Sequence, residues 1–96
     1  VLFPPANQAA EIVWETTIKK YFLRSERFDL DSPNREIIQQ LEVDRVQYID
    51  LLPVFREVDR QQREWVYLHG DGHWNDRGHQ VAGQAIAKHI ELRYLK

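Results

Sequence analysis

Short apolar runs that stop at proline or at a glycine-histidine loop alternate with longer stretches of helical spacing, and this rhythm limits what the chain can fold into. Val1-Leu2-Phe3 ends at Pro4-Pro5, and Val46-Gln47-Tyr48-Ile49-Asp50-Leu51, rich in β-branched and aromatic residues, is closed by Pro53. Trp65-Val66-Tyr67-Leu68 leads into His69. Short runs of this composition, bounded by breakers, predict strands. Between them, Ala10, Trp14, Ile18, Tyr21 and Phe22 recur at helical spacing and predict a helix from about Ala9 to Leu23 with one stripe on a core. Ser25 to Asp31 has no period and is expected to be a loop. Ser32 as N-cap and Pro33 at the first helical position open a second helix, with Ile37, Ile38 and Leu41 as its buried face, ending near Val43. Leu52 to Arg60 carries one or two turns, and Val81, Ala82, Ala85, Ile86, His89 and Ile90 mark a final helix beyond Asn75.

Strand, helix, helix, strand, helix, loop, helix is the order of an α/β layered domain, and the 96 residues are expected to form a single α/β unit. Ligands of open α/β sheets collect at the carboxyl ends of strands. Two such ends are visible, Pro4 to Asn7 and His69 to Asn75, and they are expected to share one rim. An apolar start that runs straight into Pro-Pro, with no methionine anywhere in the sequence, predicts the C-terminal portion of a larger domain. A parallel sheet short of its first strands leaves backbone groups unpaired, so self-association into a homo-oligomer through an exposed strand edge is an expected consequence.

Charge and hydropathy exclude several partners. Lys+Arg 13 against Asp+Glu 15 gives a net charge of -2, which supplies no field for nucleic acid. No apolar run approaches the roughly 20 residues needed to span a bilayer, so no membrane segment is expected. Cysteine is absent, so redox compartment is not legible and no localisation is assigned.

The segment "HGDGHWNDRGHQ", His69 to Gln80, holds most of the chemistry. A carboxylate close to an imidazole is the orienting half of a nucleophilic triad, because it fixes the tautomer and stabilises the imidazolium. Asp71 and His73 can form that pair from one loop, with Gly70 and Gly72 permitting a tight turn. His69, Asp71, His73 and His79 are also zinc ligand types, and alternate residues of an extended loop can converge on one ion. A solvated turn leading into the last helix is the third reading. Elsewhere, His89 reads as a core-edge residue, Trp14 as core, and Arg56 to Glu64 as a solvated face.

The longer string separates these readings. Asp71-Gly72-His73-Trp74-Asn75, then Gly78-His79 and the alanine-rich stretch Val81 to Ile90, closely resemble the last conserved block of the SGNH/GDSL-type hydrolases, esterases and acyltransferases. "VQYIDLLPVF", Val46 to Phe55, resembles the strand and short helix before that block in bacterial members, and "VLFPP" resembles an inner strand. The resemblance implies a partial flavodoxin-like three-layer αβα fold with parallel strands. It implies serine-dependent ester or O-acetyl hydrolysis or transfer on an ester or an acetylated small molecule or carbohydrate, with no cofactor and no metal. His73 would be the catalytic base and Asp71 its partner, while Trp74, Asn75 and Gly78 would bind substrate or shape the loop.

The D-x-H spacing departs from the D-x-x-H of many members and matches a branch that includes polysaccharide O-acetyltransferases. In that branch the serine can follow the block, although the usual upstream order is favoured because the chain stops soon after the last helix. Neither the family's G-D-S serine nor its G-x-N-D oxyanion motif is present. Ser25 in "LRSERF", Ser32 in "DSPNR" and Asn7 after the proline pair match neither motif. The chain alone is therefore expected to be inactive, since a base without nucleophile and oxyanion donors lacks the main source of acyl-transfer catalysis. The alternative is a non-catalytic interaction module.

Overall fold

The computed structural model describes residues 1–62, 66–68 and 73–94. Its elements are α1 (Ala6–Ala9), α2 (Glu11–Tyr21), a 3-10 turn (Ser25–Arg27), α3 (Ser32–Val43), α4 (Leu52–Glu57), a π-helical segment (Val58–Gln62) and α5 (Asp76–Tyr94). Among the described residues there is no strand and no sheet, only two isolated bridges, Leu2 parallel to Asp50 and Tyr67 antiparallel to Trp74. The expected three-layer αβα fold with parallel strands is therefore corrected to a helical arrangement tied by two bridges.

The reason is local. Leu2 donates to the Ile49 carbonyl at 2.7 Å and accepts from the Leu51 N–H at 3.2 Å, after which the ladder has nowhere to go. Pro4 and Pro5 have no N–H to donate, and α4 begins at Leu52 on the other side. The third extended run pairs with the far side of its own loop, not with the first two.

Helix boundaries follow from backbone chemistry. Ala10 is extended at φ -105° and ψ 111°, which splits the helix expected over Ala9–Leu23 into α1 and α2. The Asp59 carboxylate, 48 residues away, accepts the Glu11 N–H at 3.1 Å and so caps the restarted helix. At the other end Phe22 adopts a left-handed conformation (φ 54°), and the Leu23 N–H returns to the Ile18 carbonyl at 3.0 Å. Arg45 does the same after α3 (φ 56°), with the Val46 N–H on the Leu41 carbonyl at 2.8 Å. Both stops have the six-to-one bond of a Schellman ending, built without glycine. Ser32 is not the N-cap of α3: the helix starts at Ser32 with Asp31 before it, and the Asp31 carboxylate is engaged by Arg56.

The core is small and is drawn from α1, α4, the start of α5 and the two extended segments. Ala6, Ala9, Ala10, Leu51, Leu52, Phe55, Val58, Val66, Tyr67, Val81 and Ala82 are buried. The stripes expected on α2 and α3 are not core, for neither helix has a buried residue. Trp14 is half-buried, edge-on to Phe28 at 5.5 Å, while Tyr21, Phe22 and Ile37 are exposed. On α5 only the first half is covered, and His89 is half-buried.

A buried phenol ties the ends together. Tyr67 is 1% exposed, its ring lies 5.9 Å from that of Phe55, and its O–H donates to the Pro4 carbonyl at 2.6 Å. Burial pushes its pKa well above the ordinary value of 10.0, partly offset by a hydrogen bond from the Trp74 side chain. Because the folded pKa is raised, this contribution to stability is complete below pH 10 and is lost as pH rises further. Tyr67→Phe should lower unfolding free energy by about 1–2 kcal/mol, since it leaves a buried carbonyl without its donor. Urea denaturation at neutral pH measures this, and the variant should also lose the steep alkaline branch of the wild-type stability profile.

Candidate functional site

The segment around His73 is held by two backbone bonds, Leu68 N–H to the His73 carbonyl at 2.9 Å and Asn75 N–H to the Val66 carbonyl at 3.0 Å. They close a loop whose residues 69–72 lie outside the described residues. Asp71, expected to orient His73, belongs to that undescribed part, as do His69, Gly70 and Gly72. His73 lies at a bend and is exposed, whereas its neighbour Trp74 turns inward. The Trp74 ring packs against Phe55 at 4.9 Å, Phe3 at 5.2 Å and His79 at 5.6 Å.

Asn75 and Gly78 form the junction with α5. The Asn75 side-chain oxygen accepts the Gly78 N–H at 2.9 Å, the bond a helix cap makes to the third helical residue, and its backbone carbonyl accepts the His79 N–H at 3.0 Å. Its amide reaches the Tyr67 carbonyl at 3.4 Å. Gly78 is required by contact: a Cβ there would lie 2.2 Å from the Val66 carbonyl oxygen and 2.8 Å from the Trp74 Cβ. Asp76 in the first turn adds a favourable charge at the helix N-terminus.

Phe3, Pro4, Pro5, His73, Trp74 and His79 line a cleft of about 400 Å³. The two loops expected to share a rim therefore meet, although no sheet presents them. A second, mainly apolar groove of about 550 Å³ adjoins it, sharing Phe3 and Pro5 and running past Phe28 and Leu30 to Ile37. Both volumes are within the usual range for small-molecule sites. Of the four residues considered for zinc, only His73 and His79 are described, and among the described residues no group of three potential metal ligands occurs.

Phe3 was not among the residues singled out for the site, and His79 was weighed there only as a metal ligand. For His79 the available signal was Gly78 beside it, whose missing side chain lets the first turn of α5 approach Trp74. Phe3 carried none, because its place depends on a contact 71 positions further along the chain.

The cleft has an imidazole on its rim and aromatic walls. A family model described as the SGNH hydrolase-like domain of acetyltransferase AlgX matches residues 17–96. The chain belongs to this SGNH hydrolase-like family. No curated protein and no solved structure was found to match it.

Gly78→Ala tests the junction without touching His73. The backbone clash should destabilise the fold by about 2–3 kcal/mol despite alanine's better helix propensity. A lowered midpoint in thermal or urea unfolding would show it, whereas an unchanged midpoint would contradict the close approach to Val66.

Proposed function

We propose that this chain supplies the histidine-bearing part of a serine-dependent ester hydrolase or O-acetyltransferase. Its reaction is transfer of an acyl or acetyl group from an ester or an acetylated small molecule or carbohydrate. One observation carries the reading: in a chain of the SGNH hydrolase-like family, His73 stands at the mouth of a cleft walled by Phe3, Trp74 and His79. His73 takes the proton from a serine hydroxyl as that oxygen attacks the ester carbonyl, then returns it to the leaving oxygen. Asp71, two residues earlier, accepts the other ring N–H and holds the reactive tautomer. Asn75 and Gly78 hold the loop, and Trp74 gives the substrate an apolar wall.

The nucleophile comes from outside these 96 residues. Ser25 is exposed in a 3-10 turn and Ser32 opens α3, and neither lines the His73 cleft. The isolated chain should therefore show no acetyl-ester hydrolysis above buffer and no labelling by a serine-directed fluorophosphonate. Labelling at Ser25 or Ser32 would overturn the assignment. In the polypeptide or complex that contains both this chain and the nucleophilic serine, His73→Ala should lower kcat by roughly three to four orders of magnitude. Asp71→Asn should cost a comparable factor with little change in KM. Retention of wild-type kcat in His73→Ala would remove it as the base.

A further inference from the structure

Two arginines and a histidine meet in a cavity that the hydrolase reading leaves unused. Arg45, just past the end of α3, lines a space of about 470 Å³ together with His89 and Arg93 of α5, and Val46, Gln47 and Tyr48 complete the lining. His89 and Arg93 are four positions apart and so share one face of the helix. No carboxylate lines the cavity, although Asp and Glu outnumber Lys and Arg in the chain by 15 to 13. Two guanidinium groups on one concave wall set up a positive field that the shape of the wall concentrates.

Nothing in the fold neutralises them. Among the described residues the side chains of Arg45, His89 and Arg93 make no hydrogen bond and no ion pair, whereas Arg35 and Arg56 are each paired with an aspartate. The acid next to the cavity is engaged elsewhere, for the Glu42 carboxylate accepts the Tyr48 O–H at 3.1 Å. The backbone adds an independent observation. Arg45 occupies the left-handed position that ends α3, at φ 56°, where glycine is the least strained residue. A guanidinium is held at the cavity despite that strain, a pattern found at ligand sites.

We propose that Arg45, His89 and Arg93 form a binding site for a phosphate monoester. Guanidinium forks match the oxygen geometry of a phosphate, and an imidazole N–H supplies a further donor. Two fixed cations favour a group that carries nearly two negative charges over a single carboxylate. Val46 and Tyr48 form the less polar part of the wall, against which the carbon part of the ester lies. The site shares no lining residue with the His73 cleft, and binding rather than turnover reports on it, so it stands whether or not His73 is the base.

Isothermal titration calorimetry of the polypeptide that contains this chain, with phenyl phosphate at a constant ionic strength of about 150 mM, should show saturable binding with a Kd of about 1 mM or below. Inorganic phosphate should compete for the same site, and benzoate should bind about tenfold more weakly or worse. Arg93→Gln and Arg45→Gly should each weaken phenyl phosphate about tenfold, the loss expected for one charge-assisted contact. Arg45→Gly should at the same time keep or raise the unfolding midpoint, because glycine relieves the left-handed backbone, so its lost binding cannot be a lost fold. Arg24→Gln, at an exposed arginine outside the cavity, should bind as wild type. Absence of saturable phenyl phosphate binding overturns the proposal. So does equal affinity for benzoate, wild-type affinity in either cavity variant, or an equal loss in Arg24→Gln.

Discussion

The structure depends on Tyr67, whose phenol links two segments that secondary structure leaves separate. Its ring is in the core against Phe55, and its O–H, donating to the Pro4 carbonyl across 63 positions, fixes the start of the chain against the loop that carries His73. Together with the Leu2 bridge and the Phe3–Trp74 ring contact, this bond holds Phe3 and Pro5 beside Trp74 as the second wall of the cleft. A buried phenol satisfied at both its apolar body and its polar tip is well suited to that task. It packs as a large hydrophobe and still supplies a directional hydrogen bond.

Where a sheet would have joined the elements through backbone ladders, side-chain amides and carboxylates join them here. Gln8 on α1 donates to the Leu30 carbonyl at 2.6 Å and to Asn34 on α3 at 3.0 Å. Asn34 passes the contact on to Asp50 at 2.9 Å, and Asp50 accepts the Leu52 N–H at 3.1 Å where α4 begins. Arg56 on α4 returns to the Gln8 carbonyl at 3.0 Å and engages Asp31. These half-buried contacts tie α1, α3 and α4 into one frame with very few apolar residues. Each is worth about 1 kcal/mol net, so the frame is modestly stable and depends on its polar partners being present together.

Helices were legible in the sequence because their signals are local. Pro33 and the spacing of Ile37, Ile38 and Leu41 marked α3, and the apolar repeat from Val81 to Ile90 marked α5. The faces of α2 and α3 were misjudged, since periodicity shows which side is apolar but not whether anything covers it. The sheet was misjudged for a related reason. Val46 to Leu51 has strand composition, yet a strand also needs neighbours for several consecutive residues, and among the described residues it receives one bridge, at Asp50. For the site, the His69–Gln80 string identified the family from adjacent residues. It could not show that Phe3 joins the rim expected of Pro4 to Asn7, because that rests on contacts far apart in the chain.

Adjacent residues with opposite fates explain how an exposed histidine can still be well placed. His73 lies exposed at the surface, next to the half-buried Trp74. Exposure normally costs positional precision, and precision is what a proton transfer needs. Trp74 restores it: three rings and the bare Gly78 backbone hold the indole, and the Leu68 N–H holds the His73 carbonyl. The backbone that follows the His73 Cα is therefore held even though His73 itself is exposed. Packing in the site is concentrated on Trp74, so an exposed side chain gains rigidity through the residue next to it.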